Sequence, residues 1–144
     1  MNSYELEKRI RKWDNKGIFR GVYPSDELPF FNQKPFCIIG NTSSHEYSNG
    51  HWVSFFVIND VIEFFDSYGR SPLNYMFPIY FKEYISNMKC VYNTRILEGI
   101  FDNTCGDFCA YFAILRIKGY SYVDILNSLS TDVLYNRDVV TKLF

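Results

Sequence analysis

The chain has 144 residues, a net charge of −1 and aromatic side chains at 19% of positions. That length supports one compact domain, residues 1–144, with a substantial core, and the aromatic share argues against disorder. The near-neutral charge excludes a surface built to neutralise phosphates, and Cys37, Cys90, Cys105 and Cys109 lack the paired spacings of a disulfide scaffold.

No apolar run approaches the roughly 18 residues of a membrane span. The first residues, Met1 to Arg9, lack the apolar core of a signal peptide. The expectation is a soluble protein of a reducing compartment, with no membrane among its partners.

In chain order, Ser3 can cap a first helix carrying Leu6, Ile10 and Trp13 at helical spacing, with Gly17 closing it. Its charged face, Glu7 to Lys12, reads as ordinary solvation. Phe19 to Phe36 contains Pro24, Pro29 and Pro35 and reads as extended or looped. Phe36-Cys37-Ile38-Ile39 is a short buried strand, followed by a polar loop from Ser43 to Gly50 in which His45 is expected to be solvated.

The clearest β signal comes next. His51 to Ile58 and Val61 to Asp66 flank the two-residue turn Asn59-Asp60. Residues paired about that turn have indices summing to about 119, which sets Asp66 opposite Val53 and His51 near Ser67 or Tyr68. The hairpin thus carries an imidazole and a carboxylate to one end of a sheet. Pro78 to Asn87 can form a helix, and Lys89 to Leu97 a further strand.

A polar turn, Glu98 to Thr104, then leads abruptly into an apolar, helix-length run from Cys105 to Leu115, closed by Arg116-Ile117-Lys118-Gly119. Short helices are expected at Ser121–Leu129 and Asn136–Phe144. The order of elements predicts an α+β fold, with the buried helix of Cys105 packed on one face of a small mixed sheet.

Cys105 falls in the first turn of its helix, where free backbone N–H groups and the helix dipole favour a thiolate, the reactive form of cysteine. Gly106 beside it lets another chain approach the backbone. With His51 and Asp66, the chain holds the three parts of a thiol protease: a sulfur, an imidazole to move its proton, and a group to orient that imidazole. Plainer readings stand beside each. Cys105 and Cys109 can be core residues, His51 an inert strand end, and Asp66 a turn-former. His51, Cys105 and Cys109 give three metal ligands, but Cys-x-x-x-Cys on a buried helix is a poor zinc spacing.

Three motifs in order carry a resemblance: Asn49-Gly50-His51-Trp52, Phe64-Phe65-Asp66-Ser67-Tyr68-Gly69-Arg70 and Asn103-Thr104-Cys105-Gly106-Asp107-Phe108-Cys109. With Glu5 to Lys8, Gly21 to Tyr23 and Cys37 to Thr42, they run through most of the chain. The sequence resembles the adenovirus-type maturation proteases, the adenain family, with relatives in virophages and Polinton-like elements. That family shares its catalytic core with SUMO-deconjugating proteases. The resemblance implies a papain-like core in permuted order, with His51 as general base, Asp66 as its orienting carboxylate and Cys105 as nucleophile.

It also implies cleavage of viral capsid or core precursor polypeptides at Gly-Gly or Gly-x sites during particle maturation, in the virion and the infected cell. Gly50, Trp52 and Gly106 are then expected near the substrate backbone. No cofactor is required, although the adenovirus relatives are stimulated by DNA and by a peptide joined through a cysteine near the position of Cys90. The charge of this chain does not indicate nucleic acid. Two other functions fit the same motifs: a protease for ubiquitin-like modifiers, and a binding module that keeps the fold without catalysis.

One departure is plain. Seven residues before the nucleophile the family has a glutamine whose amide helps form the oxyanion hole; here the residue is Glu98, and the only glutamine is Gln33. An ionised carboxylate repels an oxyanion, and a lost donor costs about 2.7–4 kcal/mol of barrier. Open readings are a protonated Glu98 that donates, donation by Asn103 or Gly106, a shifted loop, or an enzyme that is slow until activated. If Glu98 faces the oxyanion, Glu98→Gln raises turnover at neutral pH; an unchanged or lower rate shows that it points elsewhere.

Overall fold

A computed structural model describes residues 1–44 and 50–144. The expectation for His45, and Asn49 of the first motif, lie outside the described residues. In order the elements are α1 (Ser3–Arg11), β1 (Phe19–Tyr23), a short 3₁₀ turn (Ser25–Glu27), β2 (Phe36–Asn41), β3 (Trp52–Ile58) and β4 (Val61–Phe65). They continue with α2 (Ile79–Ile85), β5 (Lys89–Tyr92), α3 (Cys105–Ile117), α4 (Tyr122–Asn127) and α5 (Val133–Lys142).

The five strands lie in the order β1-β2-β3-β4-β5. The two inner junctions, β2 with β3 and β3 with β4, are antiparallel; β1 and β5 add to the edges in parallel. The hairpin has the expected register, with Ile58 paired to Val61 and Ser54 to Phe65. Asn59, in the turn, takes φ +52 as a two-residue hairpin of this kind demands.

Both faces of the sheet are covered. Cys37, Ile39, Phe56 and Phe65 point towards α3, backed by Leu6 and Ile10 of α1, Ile125 near α4's end and Val140 of α5. Ile38, Phe55, Val57 and Phe64 point the other way, onto Phe77, Phe81 and Ile85 around α2. Covering on both sides is why β2 and β3 read as nearly continuous apolar runs rather than alternating ones. The α3 helix is apolar around most of its circumference for the same reason, and Phe112 stacks flat on Phe65 with ring centroids 4.9 Å apart.

Phe19–Tyr23, expected to be extended or looped, is a strand paired with β2, with a register shift between Phe19 and Val22. Several local expectations are corrected. Asn2, not Ser3, caps α1: its side chain accepts the Glu5 N–H at 2.8 Å while Glu5 reaches back to the Asn2 N–H. The α1 helix stops at Arg11, where Asp14 takes over by accepting the N–H groups of Lys16, Ile18 and Phe19. The last helix starts earlier than its periodicity suggests, because Asp132 caps the N–H groups of Leu134 and Tyr135. β5 stops at Tyr92 rather than Leu97, for a reason that belongs to the site.

Candidate active site

At the end of β4 the chain turns through Asp66-Ser67-Tyr68-Gly69, with the Gly69 N–H donating to the Asp66 carbonyl at 2.9 Å. Gly69 has φ +70, and a Cβ there would lie 2.5 Å from the Arg95 carbonyl oxygen, so the turn needs glycine on both counts. The turn returns Arg70 to the Asp66 carboxylate: its backbone N–H and its Nε both donate to Oδ2, at 3.0 and 2.9 Å. The Arg70 guanidinium lies over the rings of Phe77, at 4.6 Å, and Tyr68, at 5.2 Å.

Beyond Tyr92 the strand ladder is continued by a side chain. The buried amide of Asn93 donates to the Asp66 carbonyl at 2.7 Å and accepts the Asp66 N–H at 3.1 Å. This ends β5 and fixes the backbone of Asp66 at the same point. With its main chain held by Asn93 and one carboxylate oxygen by Arg70, fully buried Asp66 has its second oxygen left for one partner.

That partner is His51. Its Nε2 lies 2.6 Å from Asp66 Oδ1. The backbone of His51 is held from the neighbouring strand end, donating its N–H to Thr42 Oγ1 at 2.9 Å and accepting the Thr42 N–H at 2.8 Å. The Tyr68 ring stacks on the imidazole, with centroids 5.1 Å apart. With Nε2 held by Asp66, Nδ1 is the ring nitrogen left for a second partner.

The Cys105 side chain interacts with the same ring. Burial of the imidazole disfavours its cation, but hydrogen bonding to Asp66 and to Cys105, with the negative charge of both, outweighs this and pushes the His51 pKa up to about 9. Burial acts to raise the Asp66 carboxyl, yet its bonds to His51 and Arg70 hold it below the ordinary carboxylate range. The structure therefore brings His51, Asp66 and Cys105 together.

Cys105 opens α3. Asn103 enters the turn with φ +51, a left-handed conformation that asparagine tolerates, and Thr104 occupies the cap position without capping through its side chain. The N-cap residue of α3 makes no side-chain cap, so the first-turn N–H groups, those of Cys105 and Gly106 among them, are not taken up by it. Gly106 is buried under Trp52; a Cβ at that position would stand 2.8 Å from the indole ring. Arg9 of α1 pairs with Asp107 and ties the start of α3 to the first helix.

In front of the sulfur lies a cleft of about 690 Å³, lined by Tyr23, Asn41, Gly50, Trp52, Asn103 and Cys105 among others. Gly50, Trp52, Asn103 and Gly106 all line this cleft beside Cys105. Glu98 falls beside them but is engaged: Oε1 accepts the Ser67 hydroxyl at 2.5 Å and Oε2 the Thr104 N–H at 2.8 Å.

Burial pushes Cys37 and Cys109 far up and Cys90, on the edge strand, up to about 11. Among the described residues no three His, Cys, Asp or Glu side chains converge as a metal site would require, and no helix is long and apolar enough to cross a membrane. Arg70, Asn93, Tyr68 and Thr42 were not singled out as site residues in the sequence. The one signal for two of them was the phrase Asp66-Ser67-Tyr68-Gly69-Arg70, which carries both the turn and its return to the carboxylate.

No protein-family model and no curated protein sequence matches the chain. Among solved structures, the crystal structure of selenomethionine ASFV pS273R protease matches it with a TM-score of 0.65, at 20% identity, over 100% of this chain and 67% of that one. A second crystal structure of ASFV pS273R protease matches with a TM-score of 0.61, at 20% identity, over 99% of this chain and 66% of that one. The chain thus spans about two thirds of the length of these neighbours, and its α+β fold is the fold of a viral protease.

Proposed function

We propose that the chain is a cysteine endopeptidase of viral or mobile-element origin that processes capsid or core precursors at Gly-Gly or Gly-x sites during particle maturation. The observation that carries this reading is the His51 ring, bonded to buried Asp66 at 2.6 Å on one side and engaged with Cys105 on the other, at the edge of a cleft.

In this reaction the Cys105 proton is held on His51 Nδ1, in the imidazolium that the raised pKa favours below about 9, and the thiolate adds to the substrate carbonyl carbon. Negative charge moves to the carbonyl oxygen, which the N–H groups of Cys105 and Gly106 receive at the uncapped head of α3. The tetrahedral species collapses as His51 returns the proton to the leaving amine, giving a thioester. Water, deprotonated by the same imidazole, then hydrolyses the thioester and restores the thiol. Asp66 stays ionised and holds the ring in orientation throughout, which its bonds to Arg70 favour.

Trp52 packs against Gly106 in the wall of the cleft, and the family resemblance adds glycine on the substrate. The test is cleavage profiling of a peptide library by mass spectrometry. Cleavage after glycine in Gly-Gly or Gly-x contexts, abolished in Cys105→Ala, is expected. No cleavage by the intact chain contradicts the enzyme. Cleavage confined to the C-terminal tails of ubiquitin-like proteins replaces the precursor substrate with a modifier.

A further inference from the structure

Glu98 is a carboxylate only 1% exposed that the chemistry above does not use. Its two oxygens go to two different places. Oε1 accepts from Ser67, the residue directly after Asp66; Oε2 accepts from the backbone of Thr104, the residue directly before Cys105. The side chain therefore spans the two halves of the site, the hairpin end that carries His51 and Asp66 and the helix that carries the sulfur.

The rest of its surroundings fix the bridge at its base. The N–H groups of Leu97 and Glu98 both donate to the Ser67 carbonyl, at 2.9 and 3.1 Å, and Asn136 of α5 donates to the Leu97 carbonyl at 3.1 Å. Tyr68, which stacks on His51, also engages this carboxylate; burial, the nearby charges of Glu98 and Cys105 and a hydrogen bond to Glu98 push its phenol up to about 12. Thr104 is tied to α3 by its carbonyl, which accepts the Phe108 N–H at 3.1 Å. Its buried hydroxyl has no partner among the described residues, so the hydrogen bond to Glu98 is the tie on its N–H.

We infer that Glu98 is a positioning residue: its carboxylate links the turn after Asp66 to the residue before Cys105 and so sets the distance between imidazole and sulfur. The inference rests on the cysteine protease reading of the same site. It gives Glu98 a part other than that of the family's oxyanion glutamine, because both oxygens are spent on holding the frame. It also makes a distinctive statement about the amide. A glutamine can accept the Thr104 N–H with its oxygen and donate its NH₂ to the Ser67 hydroxyl, which accepts as readily as it donates. Alanine can do neither.

The experiment compares the intact chain with Glu98→Ala, Glu98→Gln, Ser67→Ala and His51→Ala. One readout is the rate of Cys105 alkylation by iodoacetamide at pH 7, followed by peptide mapping; the other is the His51 titration by NMR. Selective alkylation of Cys105 that depends on His51 is expected in the intact chain. Glu98→Ala slows it about ten- to a hundredfold, the loss typical of a reacting group displaced by about 1 Å. Ser67→Ala, which cuts one arm, slows it about two- to tenfold, and Glu98→Gln returns it to within about threefold of the intact chain. The His51 midpoint, near 9 in the intact chain, falls in Glu98→Ala and is kept in Glu98→Gln. A simple loss of stability does not move it.

A folded Glu98→Ala chain with unchanged rate and midpoint overturns the positioning role. So does peptide turnover by Glu98→Gln about tenfold or more above the intact chain, which points Glu98 at the oxyanion instead. Should Glu98→Ala fail to fold, Ser67→Ala decides: unchanged rate and midpoint overturn the bridge. Alkylation of the intact chain that ignores His51→Ala overturns the protease reading itself, a result separable from all of these.

Discussion

His51 is held by opposing influences, and which of them wins sets the pH range of the site. Burial works against its cation, while Asp66 and Cys105 favour it more strongly, so the folded pKa lies near 9, above the value of about 6.5 for an unperturbed imidazole. A raised pKa contributes stability that is fully present below about 6.5 and is lost as pH rises through 9. Two outcomes follow from the same number. Activity on a Gly-Gly peptide falls along a basic limb near pH 9, where the imidazolium that protonates the leaving amine disappears; a pH profile of kcat/KM measures it. The melting temperature also falls between about pH 6.5 and 9 relative to His51→Gln, which has no such group.

Asp66 has the opposite sign. Its folded pKa is lowered, so its contribution is present above the ordinary carboxylate range and is lost as pH falls through the folded value. Arg70→Leu removes the guanidinium bond but leaves the backbone N–H. It is expected to cost about 1.5–3 kcal/mol at neutral pH, the typical worth of a hydrogen bond to a charged group. Acid unfolding of the variant, followed by circular dichroism, begins at a higher pH than in the intact chain.

Among the elements, the hairpin was legible because a two-residue turn leaves one register, and that register sets where His51 and Asp66 emerge. The start of α3 was legible because a polar turn changes abruptly into an apolar run at Cys105. β1 was hidden by the prolines that follow it, since its strand character comes from pairing with β2 rather than from its own pattern. Asn93 was hidden for a related reason. Only where β5 stops can an amide stand in for the ladder and hold Asp66, and no local spacing marks that point. Arg70 stood in a motif, but its return to the carboxylate depends on the tight turn at Gly69.

The junction of β3 with α3 has its own test. Gly106→Ala puts a methyl 2.8 Å from the Trp52 ring, and neither the strand end nor the helix can move away freely. The expected cost is about 1–3 kcal/mol by denaturant titration, as for other overpacked sites. Peptide turnover falls with it, because the displaced indole narrows the cleft at the sulfur.

At the scale of the whole molecule, one mixed sheet carries a helical layer on each face, and the site lies where the sheet's end meets the head of its most buried helix. Stability and function share that contact. Phe112, stacked on Phe65, joins α3 to the strand that ends in Asp66, and Phe112→Ala is expected to cost about 3–5 kcal/mol in chemical denaturation. The fold shared with the ASFV pS273R protease agrees with this arrangement, although 20% identity leaves the chemistry to be settled by the side chains.

The most direct test of that chemistry is the reaction of the intact chain with a Gly-Gly vinyl sulfone, followed by peptide mapping of all four cysteines. One adduct is expected, on Cys105, formed by the intact chain and lost in His51→Ala. First reaction at Cys90, or equal labelling of Cys105 with and without His51, contradicts it.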